Sequence, residues 1–167
     1  MEEYKLRFAH DPESLAGWKF EGRAPKLLET IKNARATVLL GLSGQPHTFS
    51  EPIVRAMGEI SGRPIIFPLS NPTSLCEALP EDILAWTEGR AIVATGSPFA
   101  PVVHGAKTIQ IGQGNNAFIF PGLGFGAILA DVTEITDAMV MAAARTAQKR
   151  FSMDDSFRVR FSVSMRS

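Results

Sequence analysis

The sequence predicts an α/β fold, one half of a doubly wound parallel sheet with flanking helices. Three apolar runs carry that prediction: residues 37–43 (TVLLGLS), 64–69 (PIIFPL) and 91–97 (AIVATGS). None of them contains a charge or alternates strictly, the pattern of a parallel strand buried on both faces. The first and last close in small polar residues, and the middle one stops at Ser70-Asn71-Pro72-Thr73. Helical segments separate the three runs, which is the order of successive crossover units. Ligands of open α/β sheets sit outside the carboxyl ends of the strands. The ends of these three runs are therefore the expected binding crevice.

Size and composition narrow the function. The chain has 167 residues, 45% of them apolar, enough for one folded core. Lys plus Arg and Asp plus Glu both number 17, so the formal net charge is zero. That balance supplies no long-range field for nucleic acid or an anionic membrane, and neither is expected as a partner. A single cysteine, Cys76, excludes an internal disulfide and any multi-cysteine metal site. The first residues, MEEYKLRFAH, lack the apolar core of a secretory signal, and the 117–130 stretch is too short to span a membrane. A cytoplasmic location is the resulting expectation.

The individual elements follow from local chemistry. Pro25 followed by Leu27, Leu28 and Ile31 at helical spacing predicts a helix over 24–34. Ser50, Glu51 and Pro52 open another over 51–60, with Ile53, Val54, Met57 and Ile60 on one face, and Gly62 follows it. Asn71 is expected to cap a short helical turn with Pro72 at its first position. Pro80 introduces a short helix over 81–87, and Gly89 breaks it. Residues 98–111 read as a loop with a short strand or hairpin near 107–111, and 112–116 (GQGNN) as a turn. Residues 117–130 are apolar all round, as in a buried helix that Pro121 kinks or delays. A helix over 136–149 follows. From Phe151 the character changes: Phe157, Val159, Phe161, Val163 and Met165 alternate with polar residues, so residues 151–167 are set apart as a divergent tail.

Motifs for independent chemistry are weak. Gly122-x-Gly124-x-Gly126 departs from the G-x-G-x-x-G spacing and follows no strand, which favours close helix packing over phosphate binding. Around Ser43, Gln45 stands where a nucleophile elbow needs glycine. His10, His47 and His104 are scattered, and no acidic group has metal-ligand spacing. No catalytic residue and no metal ligand is assigned. Asn71, Asn115 and Asn116 are the stronger candidates, because amides at two junctions offer both donors and acceptors to a carboxylate or carboxamide. Each also reads as a cap or turn former.

Motifs in a specific order add a resemblance. SNPT (70–73), WTEGRA (86–91), ATGSPF (94–99) and GQGNN (112–116) followed by FPG (120–122) together resemble the C-terminal part of malic enzymes, closest to the bacterial type that uses NAD. The resemblance covers roughly residues 24–149. It implies a partial Rossmann-like NAD(P)-binding domain over residues 1–150, with the runs above equivalent to strands 4, 5 and 6 of the 3-2-1-4-5-6 order. It implies NAD as cofactor, with NADP possible, and a cofactor crevice lined by Ser43, Gly44, Leu69, Ser70, Asn71, Gly96 and Asn115. Asn71, Asn115 and Asn116 would face substrate, L-malate or the product pyruvate. The family oxidises and decarboxylates L-malate to pyruvate and CO₂ with Mg²⁺ or Mn²⁺. Its catalytic Tyr and Lys, acidic metal ligands and phosphate loop match nothing here, so the chain reads as truncated and inactive alone, completed by a missing N-terminal half or by self-association. A non-catalytic or partner-binding fragment, and part of a malolactic enzyme, are the alternative readings.

Overall fold

The structure, a computed structural model, describes residue 9 and residues 11–153. Helix α1 (Leu27–Ala34) leads to strand β1 (Val38–Gly41), helix α2 (Glu51–Ile60), strand β2 (Ile65–Pro68), helix α3 (Pro80–Trp86) and strand β3 (Ile92–Thr95). Strands β4 (Val102–His104) and β5 (Lys107–Ile109) form an antiparallel hairpin. Strand β6 (Gly112–Gln113) follows, then helices α4 (Phe120–Leu129) and α5 (Asp137–Met153). The sheet runs β1-β2-β3-β6, parallel throughout, with Val38 opposite Ile65, Ile65 opposite Ile92 and Ala94 opposite Gly112. This is a Rossmann-like half sheet in the predicted order.

The core lies between the sheet and the first three helices. Ile31 of α1, Val54 and Met57 of α2, and Ile83 and Leu84 of α3 meet Ile66 of β2, all nearly or fully buried. Ser50 precedes α2 in extended conformation and Pro52 sits in its first turn, so this helix starts where its sequence says. Arg90, in the turn after α3, donates to the carbonyls of Gly58, Ser61 and Gly62 at 3.1, 3.4 and 3.2 Å. It thereby supplies donors to carbonyls that the end of α2 leaves without helical partners.

Four expectations are corrected. The strands are not covered on both faces: Leu39 and Gly41 of β1 are buried, whereas Val38 and Leu40 are 48% and 52% exposed. Alternation thus exists in burial where it is absent from composition. Residues 112–113 pair with β3 as a fourth strand, two residues being too few to show a period. Helix α4 begins late with Pro121 in its first turn, but it is not buried: Phe125, Ile128 and Leu129 are 64%, 76% and 71% exposed. A Cβ on Gly122, Gly124 or Gly126 would meet nothing within 4 Å, so these glycines do not mediate close packing among the described residues. The alternation over 157–165 and His10 lie outside the described residues.

Strand β1 ends the sheet among the described residues, with Val38, Leu40 and Leu42 exposed beside its outer backbone edge. Such an edge templates strand addition. The purified chain is expected to self-associate, and Leu40→Lys to shift its sedimentation profile toward monomer. Unchanged profiles for both would refute β1 as the associating edge.

Candidate functional site

The ends of β1, β2 and β3 converge, as the strand order requires, and two polar clusters form there. The first surrounds Gly96, which is buried just beyond β3. Its N–H bonds the carbonyl of Pro68 at 3.3 Å. Its own carbonyl receives Asn115 Nδ2 at 3.0 Å and Gln113 Nε2 at 3.3 Å. Next to it the Ser97 hydroxyl donates to Asn71 Oδ1 at 2.5 Å. A Cβ on Gly96 would collide with the Leu69 carbonyl and come within 2.8 Å of Asn71 Oδ1. Only glycine fits where these segments cross.

The second cluster is centred on a residue the sequence reading did not single out, Glu77. Its side chain is fully buried and takes hydrogen bonds from Ser43 and Ser70, at the loops leaving β1 and β2. The Gly44 N–H adds a bond to Ser70 Oγ at 2.9 Å. Loss of water around Glu77 is the largest single influence and acts to raise its pKa. The Ser70 hydroxyl and the N–H groups of Ser43 and Ser70 together outweigh it and hold the carboxyl below its ordinary value. The signal was present in the sequence. Glu77 is a lone acid inside Leu75-Cys76-Glu77-Ala78-Leu79, and a charge between apolar neighbours needs partners.

The predicted residues therefore divide. Asn71, Gly96 and Asn115 meet in one cluster, with Ser97 and Gln113 added; Ser43, Gly44 and Ser70 meet in the other. Leu69 joins them, its N–H bonded to the Gly41 carbonyl at 2.9 Å and its own carbonyl against Gly96. Asn116 is exposed, and its side chain joins neither cluster. Asn71 is not a cap. It precedes a cis peptide to Pro72, and Pro72 itself occupies the cap position of the Thr73–Leu75 turn without any side-chain bond. Asn115 does cap: its Oδ1 accepts from the Ala117 N–H at 2.9 Å while its Nδ2 holds Gly96.

Other chemistry is not assembled here. Cys76 is buried, and burial pushes its thiol pKa up, against hydrogen bonding at Ala78, so it is a packed and unreactive thiol. Among the described residues no three or more His, Cys, Asp or Glu side chains stand together as a metal would require. A groove of about 600 Å³ between α4 and α5 is lined by Leu123, Ala127, Met139 and Ala143 and gathers no convergent polar side chains. It reads as helix packing, and the strand ends hold the polar chemistry.

A family model described as malic enzyme, NAD binding domain, matches residues 1–159. The NAD-dependent malic enzymes of Sodalis glossinidius and Edwardsiella ictaluri are each 50% identical over 143 residues, covering 86% of this chain and 25% of theirs. That of Proteus mirabilis shows the same identity and coverage. The chain thus spans about a quarter of the length of these relatives. The chain belongs to the malic enzyme family, within the NAD-binding domain.

Proposed function

We propose that this chain supplies the surface that holds the nicotinamide-ribose end of NAD in an enzyme that oxidises and decarboxylates L-malate to pyruvate. The observation that carries the reading is the Gly96 cluster, where three separate motifs meet at the ends of β2 and β3. The residues fit that part of the cofactor. Asn71 spends its oxygen on Ser97, which leaves its Nδ2 donors for a carboxamide or a hydroxyl, and its side chain is exposed to receive one. Asn115 keeps one Nδ2 hydrogen beyond the bond to Gly96 and serves mainly to place that residue. Asn116, exposed beside them, is assigned to the malate carboxylate. NAD would supply the hydride acceptor.

The described residues do not fit the remainder of the reaction. The N–H donors at the ends of β1 and β2 are spent on Glu77, so they form no pyrophosphate cradle. Among the described residues no three or more His, Cys, Asp or Glu side chains stand together to hold a metal ion either. No helix among the described residues is long and apolar enough to cross a membrane, and we assign the protein to the cytoplasm.

Binding is the direct test. Titrating the ¹⁵N-labelled chain with nicotinamide riboside is expected to shift the Asn71 side-chain amide and the Gly96 and Ser97 backbone amides. Asn71→Ala should weaken that binding by a few-fold to about tenfold, the worth of a neutral hydrogen bond. Malate-dependent reduction of NAD by the chain alone, with Mg²⁺ or Mn²⁺, is expected to stay at the blank. Shifts confined to residues outside the strand ends would refute the assignment.

A further inference from the structure

Glu77 is a buried charge for which the proposed cofactor contacts have no use, and its surroundings are those of a bound anion. One carboxylate oxygen, Oε1, receives the Ser43 N–H at 3.0 Å, the Ser43 hydroxyl at 3.2 Å and the Ser70 hydroxyl at 2.5 Å. The other, Oε2, receives the Ser70 N–H at 3.4 Å. Backbone N–H and hydroxyl groups aimed at one point from two strand ends are the donor set of a small-anion site. Here the chain fills that site itself. The filling is tight: a Cβ on Gly41 would lie 2.5 Å from Glu77 Cδ, so the end of β1 is shaped around the carboxylate. The backbone of Glu77 is anchored too, its carbonyl accepting the Phe49 N–H at 3.0 Å.

No cation among the described residues takes part. The ion pairs among them are Arg55 with Glu51 and Arg90 with Glu88, and neither involves Glu77. Among the described residues its charge is balanced by dipoles, so a second negative charge at the same donors would meet it without compensation. Position in the chain gives the arrangement its consequence. Ser70 lies between Leu69, whose carbonyl abuts Gly96, and Asn71, which bonds Ser97. Whatever fixes Ser70 therefore fixes both flanks of the Gly96 cluster.

We propose that Glu77 is a positioning residue for the cofactor surface and its internal anion, acting through Ser43 and Ser70. It sets the ends of β1 and β2 beside Asn71 and Gly96, and it closes their donors to phosphate, leaving the surface to a group that carries no negative charge. The proposal rests on the nicotinamide-ribose reading above.

The test follows the amide resonances of the full ¹⁵N-labelled chain titrated with inorganic phosphate and, separately, with nicotinamide riboside. In the parent chain phosphate is expected to leave Ser43, Gly44 and Ser70 unmoved. Glu77→Gln keeps the length but removes the charge, leaving a neutral side chain that phosphate can displace from the same donors. It should bind phosphate at those amides roughly tenfold to a hundredfold more tightly, the worth of hydrogen bonds to a charged group. Glu77→Asp restores the charge and should restore the indifference to phosphate. Nicotinamide riboside binding should weaken several-fold in the Gln variant and recover in the Asp variant, a rescue that a merely structural side chain would not track.

Phosphate shifts at Ser43 and Ser70 in the parent, or a folded Gln variant as inert as the parent, would overturn the proposal. Should the Gln variant not fold, Ser70→Ala decides the matter. It loses one donor but keeps the charge, and must remain closed to phosphate; opening there refutes the role of Glu77. The two readings fail separately. Absent riboside shifts in the parent sink the nicotinamide assignment, whereas riboside shifts beside a phosphate-inert Gln variant sink only the internal anion.

Discussion

Replacing Glu77 by Ala is expected to destabilise the chain by about 3–5 kcal/mol, the largest effect of any single substitution considered. Two costs combine. The N–H groups of Ser43 and Ser70 and both hydroxyls lose their acceptor. In addition, the fully buried side chain leaves a void beside Gly41. Urea unfolding of the parent and the Ala variant measures the difference, and a midpoint within error of the parent would discard the account. The charge also sets an acid response. The folded-state pKa of Glu77 lies below its ordinary value near 4.5, so the ionised form favours the folded state. Its contribution is complete above that value and is lost as pH falls through the lower folded-state pKa. As pH falls below that ordinary value the parent should therefore lose stability more steeply than Glu77→Gln. Parallel slopes would show that other carboxylates carry the acid response.

Gly96→Ala should cost about 3 kcal/mol, near the upper end for a substitution that overfills a packed site. That corresponds to a melting temperature roughly 6–12 °C lower for a chain of this size. The obstacle is main chain and cannot swing aside. The added Cβ meets the Leu69 carbonyl, and Leu69 is itself tied to the Gly41 carbonyl while the Gly96 N–H is tied to that of Pro68. Gly114→Ala is the matched control. Its Cβ would touch only Leu69 Cδ2 at 3.3 Å, the tip of a flexible side chain, and its melting point should stay within a few degrees of the parent. Equal melting points for the two variants would mean that the crossing at Gly96 is loose.

How far the sequence could be read depends on the range of the interaction concerned. Ser50, Glu51 and Pro52 are neighbours with a local job, and the helix they announce is found over Glu51–Ile60. The strands were placed correctly but drawn long. The 37–43 run loses its last two residues because Leu42 and Ser43 turn away toward Gly44, which has a φ of 64°. Glu77 was missed as a centre because one of its partners, Ser43, is 34 positions away and the intervening pattern has no period. The asparagines were legible as polar junction residues, whereas which of them would cap was not. That depended on Pro72 taking the cap position, which left Asn71 to bond Ser97 across the crevice. Helix α4 shows the opposite limit. Its composition states what the segment would gain by burial, and the surrounding chain determines whether a cover exists.

The contact of Arg90 with the end of α2 also bears on how the molecule comes apart. Three carbonyls of the segment that closes one crossover unit depend on a guanidinium carried by the next. Detaching α2 alone would leave that cation without its acceptors, and loosening the turn after α3 alone would leave the carbonyls without their donor. Opening either costs much of what opening both would cost. The Arg90 contact thus couples the α2–β2 and α3–β3 segments, so that they open together more readily than singly.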